Sequence, residues 1–102
     1  MLPRNRVTTS PGEILEEEFL KPLGIKKIEL ARRLGVTHTV ISEIIHGKRA
    51  ISPRMAVMLG AALGTTAEFW HGLQADYDLT SFRQSAEGHT AESVETLLAT
   101  QQ

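Results

Sequence analysis

Apolar side chains between residues 10 and 80 recur every three or four positions, which is the spacing of an amphipathic helix. No stretch shows the alternation of a β-strand, and there is no internal repeat. Polar connections of two to six residues separate the apolar segments. The pattern predicts an all-α fold, a compact domain of five helices. These helices are expected at about residues 11–20, 26–34, 38–46, 53–63 and 66–79.

Residues typical of helix starts support these boundaries. Ser10 stands three residues before Glu13, which is the spacing of a capping box, where each side chain accepts a hydrogen bond from the other residue's amide. Thr37 is placed to cap the third helix. Thr65 and Glu68 predict a second capping box before the fifth helix.

The two ends of the chain lack this periodicity. We interpret residues 1–9 as a flexible N-terminal arm. Residues 10–80 form the helical domain, and residues 81–102 are a polar C-terminal tail. Within the tail, Val94, Leu97 and Leu98 have the spacing of one short helix, which is too short to be stable alone.

The second and third helices are short and are joined around Gly35, as in a helix-turn-helix. In that motif the second helix enters the major groove of DNA. Here its outer face carries short polar side chains, which allow a close approach to base edges. Residues 10–80 therefore read as a helix-turn-helix DNA-binding domain. The predicted base contacts are Thr37, His38, Thr39 and Ser42, with Glu43 on the rim of this surface.

Charge is concentrated around the same motif. The chain has a net charge of −1, but residues 21–54 carry +6, between −2 before them and −5 after them. A cationic centre between acidic ends is typical of a local binding site for a polyanion. Helix pairs joined by glycine also occur in bundles that bind no DNA, and this charge favours the DNA-binding interpretation. The predicted phosphate contacts are Lys27, Lys48 and Arg49.

A domain of this size reads few base pairs, so we expect a homodimer on two half-sites of a palindromic operator, about 34 Å apart. The fifth helix is the candidate interface because it is rich in aromatic area. The alternative is that these side chains belong to the core of one protomer. The candidate residues are Phe69, Trp70, Leu73 and Tyr77.

Other kinds of site find little support. The chain has no cysteine, which excludes disulfides and thiolate metal sites. Its four histidines lack a ligand spacing with carboxylates on one helix face, so neither a metal nor a cofactor is expected. No nucleophile elbow or phosphate-binding glycine loop suggests an enzyme. No secretory signal or membrane span is recognisable, so we expect a cytoplasmic protein without a membrane partner.

Two motifs carry a family resemblance over about residues 9–80. The first motif reads Leu30-Ala31-x-x-Leu34-Gly35-Val36-Thr37-x-x-x-Ile41-Ser42-x-Ile44-x-x-Gly47-Lys48-Arg49, and the second reads Phe69-Trp70-x-x-Leu73-Gln74-x-x-Tyr77-Asp78-Leu79. The first resembles the helix-turn-helix of the XRE (lambda-repressor-like) family. The second, together with the Pro11-Gly12 helix start, resembles the HigA/VapI-type antitoxins.

The resemblance implies a dimeric repressor that binds its own operator and neutralises a small ribonuclease toxin. The base and phosphate contacts that it implies fall on the residues already named. The sequence departs from the family pattern at His38, where arginine is frequent, and at His71-Gly72 in the fifth helix. Two alternatives stay open: an XRE-type regulator without a toxin, and a toxin-binding module with little DNA binding.

Overall fold

The structure, a computed structural model, describes residues 9–98, and over them it contains helices and connecting loops but no strand. The first helix, α1, is continuous over residues 11–23, with an α-helical turn at Pro11–Ile14, a π-helical stretch at Leu15–Leu20 and a last turn at Lys21–Leu23. The prediction of five helices up to residue 80 is confirmed, and a sixth follows. The other helices are α2 (Lys27–Leu34), α3 (His38–Ile45), α4 (Pro53–Leu63), α5 (Ala67–Arg83) and α6 (Ala86–Glu92).

The beginning of α1 follows the sequence signals. Ser10 and Glu13 form the expected capping box, in which the Glu13 amide donates to Ser10 Oγ at 3.3 Å. Near the other end, the Lys21 amide donates to the Glu16 carbonyl, five residues back, and Pro22 has no amide to donate. Gly24 ends the helix at φ 68°, a conformation that favours glycine.

Helices α2 and α3 form the expected helix-turn-helix. Gly35 ends α2 at φ 73°, and Thr37 caps α3 through the Val40 amide, which donates to Thr37 Oγ1 at 3.3 Å. Ala31 is buried, and its small side chain permits close helix packing at the motif. Three of the eight α3 residues, Ile41, Ile44 and Ile45, are buried in the core. Because β-branched side chains are poor helix formers, this burial is what stabilises α3.

Trp70 on α5 lies at the centre of the core with 0% of its surface exposed. Its ring packs against Phe19 of α1 and Phe69, at centroid distances of 5.1 and 5.0 Å. Its indole N–H donates to Thr65 Oγ1 at 2.7 Å. The prediction that Thr65 caps α5 is therefore wrong: the cap is Thr66, whose Oγ1 accepts from the Phe69 amide, and Thr65 satisfies the buried indole instead.

Three buried glycines among the described residues, Gly12, Gly60 and Gly88, mark places where backbones touch, and the first two join helices of the domain core. A Cβ at Gly12 would lie 1.8 Å from the Ile44 carbonyl oxygen, so α1 meets α3 directly. A Cβ at Gly60 would lie 2.9 Å from the backbone of Thr66 and Ala67, at the start of α5. These positions have no room for the methyl group of alanine. Glycine lowers the helix propensity there, but it allows the backbones to pack closely.

The C-terminal part differs from expectation. Helix α5 continues to Arg83, so the predicted domain boundary at residue 80 falls inside a helix. The short tail helix lies at Ala86–Glu92, upstream of the apolar residues that suggested one. Val94, Leu97 and Leu98 are non-helical and exposed. Residues 1–8 of the predicted arm lie outside the described residues. Among residues 9–98, no helix is long and apolar enough to cross a membrane.

Candidate nucleic-acid interface

Helix α3 presents a polar outer face opposite its buried isoleucines. Thr39 is exposed and stands one turn before Glu43, so the two side chains occupy the same face. Residues with hydroxyl and methyl groups can approach base edges in the major groove, where they accept, donate or contact the thymine methyl. We define residues 37–39, 42 and 43 as the reading surface, on which Thr39 and Glu43 share one face of α3. The sequence predicts Glu43 at the rim of this surface, and that position stays a prediction.

The other predicted base contacts lie at the start and the side of this surface. Thr37 and His38 are exposed, and the Thr37 oxygen accepts the capping bond, which leaves its hydroxyl proton for an external acceptor. Ser42 is half-buried, with its Oγ 3.4 Å from His46 Nδ1. His46 Nδ1 also lies 2.8 Å from the Ser42 carbonyl oxygen, an acceptor, so Nδ1 carries a proton in this arrangement. Thr37, His38 and Thr39 thus lie together at the start of α3, and Ser42 lies about one turn further along the helix.

Two of the three predicted phosphate contacts already have acidic neighbours. Lys27 begins α2, and its Nζ lies 3.9 Å from Glu16 of α1. Arg49, in the loop after α3, donates through Nε to Glu43 Oε1 at 2.9 Å, and its Nη2 lies 2.7 Å from the same oxygen. Lys48 is exposed and forms no ion pair with the described part of the chain. Of the three predicted phosphate contacts, Lys48 is therefore the one whose charge is least compensated.

Gln74 of α5 holds the loop that carries Lys48 and Arg49, and no role was predicted for it from the sequence. Gln74 Oε1 accepts from the Ile51 amide at 2.8 Å, and Gln74 Nε2 donates to Asp78 at 2.8 Å. This contact joins residues 23 positions apart and fixes the end of the loop. Gln74 belongs to the second family motif. Its position four residues after Trp70 places it on the same face of α5 as the buried indole, and this was the sequence signal for a contact with the rest of the domain.

An open apolar groove adjoins the reading surface. Its volume is about 610 Å³, and it lies between α1, the start of α2 and His38. Lys21 on its edge hydrogen-bonds Glu17 at 2.8 Å, which raises the pKa of the Lys21 ammonium above its usual value. Lys21 is not one of the predicted phosphate contacts, and Glu17 compensates its charge.

The candidate interface residues on α5 separate into different environments. The prediction for Trp70 is wrong, because its side chain is completely buried within one protomer. Leu73 is half-buried against the same core. Tyr77 is half-buried and lines a cleft beside Lys48 and Arg49. Phe69 is 40% exposed and is the one of the four with a large accessible surface.

The chemistry of the described residues is that of a binding surface. Among residues 9–98, no group of three or more His, Asp or Glu side chains could hold a metal ion. The exposed hydroxyls, the imidazole and the flanking cations are groups that bind base edges and phosphates.

Known proteins share this architecture. The helix-turn-helix family model HTH_3 matches residues 17–70. An uncharacterised HTH-type transcriptional regulator of Haemophilus influenzae is 46% identical over 74 residues, which cover 72% of this chain and 69% of the relative. Antitoxin HigA-1 of Vibrio cholerae is 41% identical over 83 residues, 81% of this chain and 78% of the relative.

A solved structure is similar over nearly its whole length. The Pseudomonas aeruginosa antitoxin HigA, determined with the higBA promoter, matches with a TM-score of 0.82 and 36% identity, covering 89% of this chain and 99% of that one. The resemblance to HigA-type antitoxins is thereby confirmed. The chain belongs to the helix-turn-helix family HTH_3, a family of DNA-binding regulators.

Proposed function

We propose that this protein is a sequence-specific transcriptional repressor and the antitoxin of a toxin–antitoxin pair, acting in the cytoplasm by binding and not by catalysis. The observation that carries the proposal is the outer face of α3, where Thr37, His38 and Thr39 are exposed beside the cationic loop of Lys48 and Arg49. A relative of the same architecture was solved with a promoter, which supports DNA as the ligand.

The proposed oligomer is a homodimer that uses the outer face of α5. Leu79 and Phe82 are large, apolar and exposed on this helix, whose opposite face already packs Trp70 into the core. A helix with apolar residues on both faces is normally covered on both. Two copies joined in this way would present two α3 helices to a palindromic operator.

The proposal is tested with a duplex from the promoter upstream of the gene. In a fluorescence anisotropy titration, the operator should bind about 10³-fold or more tightly than a scrambled duplex of the same length. Equal affinity for both duplexes would contradict the repressor function. For the antitoxin function, the product of the neighbouring open reading frame should show ribonuclease activity that stoichiometric addition of this protein abolishes.

Thr39→Ala should relax the base preference at one operator position, because Thr39 is exposed on the reading surface. The expected loss of discrimination at that position is about 1–3 kcal/mol, with little change on scrambled DNA. Anisotropy titrations on operators with single base-pair changes measure it. Thr90→Ala on α6 is the matched control and should leave the operator profile unchanged. A uniform loss on all duplexes would remove Thr39 from the base contacts.

Lys48→Ala should weaken operator and scrambled DNA alike, because its charge is available to any phosphate. The slope of log K against log salt should become shallower by about one. Titrations at four salt concentrations measure this slope. Lys21→Ala is the control, since Lys21 is paired with Glu17, and its slope should match that of the unsubstituted protein. An unchanged slope in Lys48→Ala would exclude this phosphate contact.

A further inference from the structure

We propose that Glu43 is a specificity-determining residue of the reading surface, which holds Arg49 in place and rejects DNA that lacks the operator bases. This inference rests on the proposed DNA-binding function. It assigns a role to a residue whose negative charge opposes binding to a polyanion.

The geometry sets Glu43 apart from the acidic residues elsewhere on the chain. It lies on the outer face of α3, one turn after Thr39, which is the face that the proposed function directs towards DNA. One of its carboxylate oxygens accepts from two nitrogens of Arg49, at 2.7 and 2.9 Å. Its carbonyl oxygen accepts from the Lys48 amide at 2.8 Å. Both ends of Glu43 therefore shape the loop that carries the two cations.

The pair has a different consequence for each kind of DNA. On arbitrary DNA, the carboxylate is close to phosphates and also withholds the Arg49 charge from them, so it weakens binding. On the operator, a cytosine amine in the major groove can donate to the second carboxylate oxygen, which the Arg49 contacts leave unused. That contact offsets the repulsion at one sequence only.

An acidic residue is compatible with a cationic binding surface when it raises specificity. Specificity is a difference between affinities, and a group that penalises the wrong partner raises it as effectively as one that attracts the right partner. The charge of Glu43 repels the phosphates of every duplex. Only on a duplex with the cytosine amine does a new hydrogen bond offset that repulsion.

Glu43→Gln is the decisive variant, because glutamine keeps an oxygen that can accept from Arg49 but removes the charge. Affinity for scrambled DNA should rise about five- to tenfold at 0.1 M salt, and the salt slope should steepen by about one, as for one added phosphate contact. Operator affinity should rise by less than threefold, so the ratio of operator to scrambled affinity falls. Thermal melting should be unchanged, since the side chain is on the outer face.

Arg49→Ala in both backgrounds completes the test. Arg49→Ala should lower the affinity for scrambled DNA only slightly while Glu43 is present. In the Glu43→Gln background it should cancel most of the gain in affinity. An equal effect of Arg49→Ala in the two backgrounds, or an unchanged affinity ratio in Glu43→Gln, would overturn the role of Glu43. If the unsubstituted protein does not distinguish operator from scrambled DNA, the repressor function itself fails, which is a separate result.

Discussion

Trp70→Ala is expected to lower the free energy of unfolding by about 3–5 kcal/mol, the usual cost of removing a large buried aromatic side chain. The indole is completely buried, packs on Phe19 and Phe69, and satisfies its N–H with Thr65 Oγ1 at 2.7 Å. The loss is a large part of the stability of a small domain. The variant should therefore be largely unfolded or melt far below the unsubstituted protein.

Circular dichroism in a denaturant titration measures this effect at one fixed protein concentration. Tryptophan fluorescence is unsuitable, because Trp70 is the only tryptophan of the chain. Trp70→Phe should cost less, since the ring fills part of the space, but it leaves the Thr65 oxygen without its donor.

Leu79→Ala separates the core from the interface. Leu79 is half exposed on α5, so its removal should leave the fold intact and weaken dimerisation in analytical ultracentrifugation. If Trp70→Ala instead kept its stability and only dissociated the dimer, Trp70 would lie at an interface after all.

The periodicity of the sequence was sufficient to predict the helices and the buried face of α3. Isoleucines at 41, 44 and 45 indicate one face, and the residues between them indicate the other. It was insufficient for Trp70, because the spacing of aromatic residues on α5 is the same for a core face and an interface face. Only the packing of α1 against α5 distinguishes them.

Long-range contacts explain the other differences. The pairing of Arg49 with Glu43, and of Gln74 with the Ile51 amide, depends on how a loop folds back, which no local pattern specifies. Thr65 and Thr66 are neighbours with equal capping ability, and the position of the indole decides which one caps α5. The base-contact candidates, by contrast, follow from the position of α3 residues alone: Thr37, His38 and Thr39 are exposed, whereas Ser42 is half-buried, and their contacts with bases stay a prediction.

Gly12→Ala is expected to destabilise the fold by about 1–3 kcal/mol or more, as for overpacking into a core that cannot yield. The new Cβ would lie 1.8 Å from the Ile44 carbonyl oxygen and 2.7 Å from Ile45 Cα, both backbone atoms of α3. Because no side-chain rotation relieves this contact, α1 and α3 must move apart. Each kcal/mol should lower the melting temperature by about 4–8 °C in a domain of this size.

Gly72→Ala is the matched control, since a Cβ at Gly72 meets nothing within 4 Å in α5. There the substitution should stabilise the helix by about 0.5–1 kcal/mol, because alanine loses less backbone entropy than glycine. Gly12→Ala should also weaken operator binding, because the clash displaces α3, whereas Lys48→Ala weakens binding at unchanged stability. A Gly12→Ala protein that melts and binds like the unsubstituted one would show that α1 does not set the position of the reading helix.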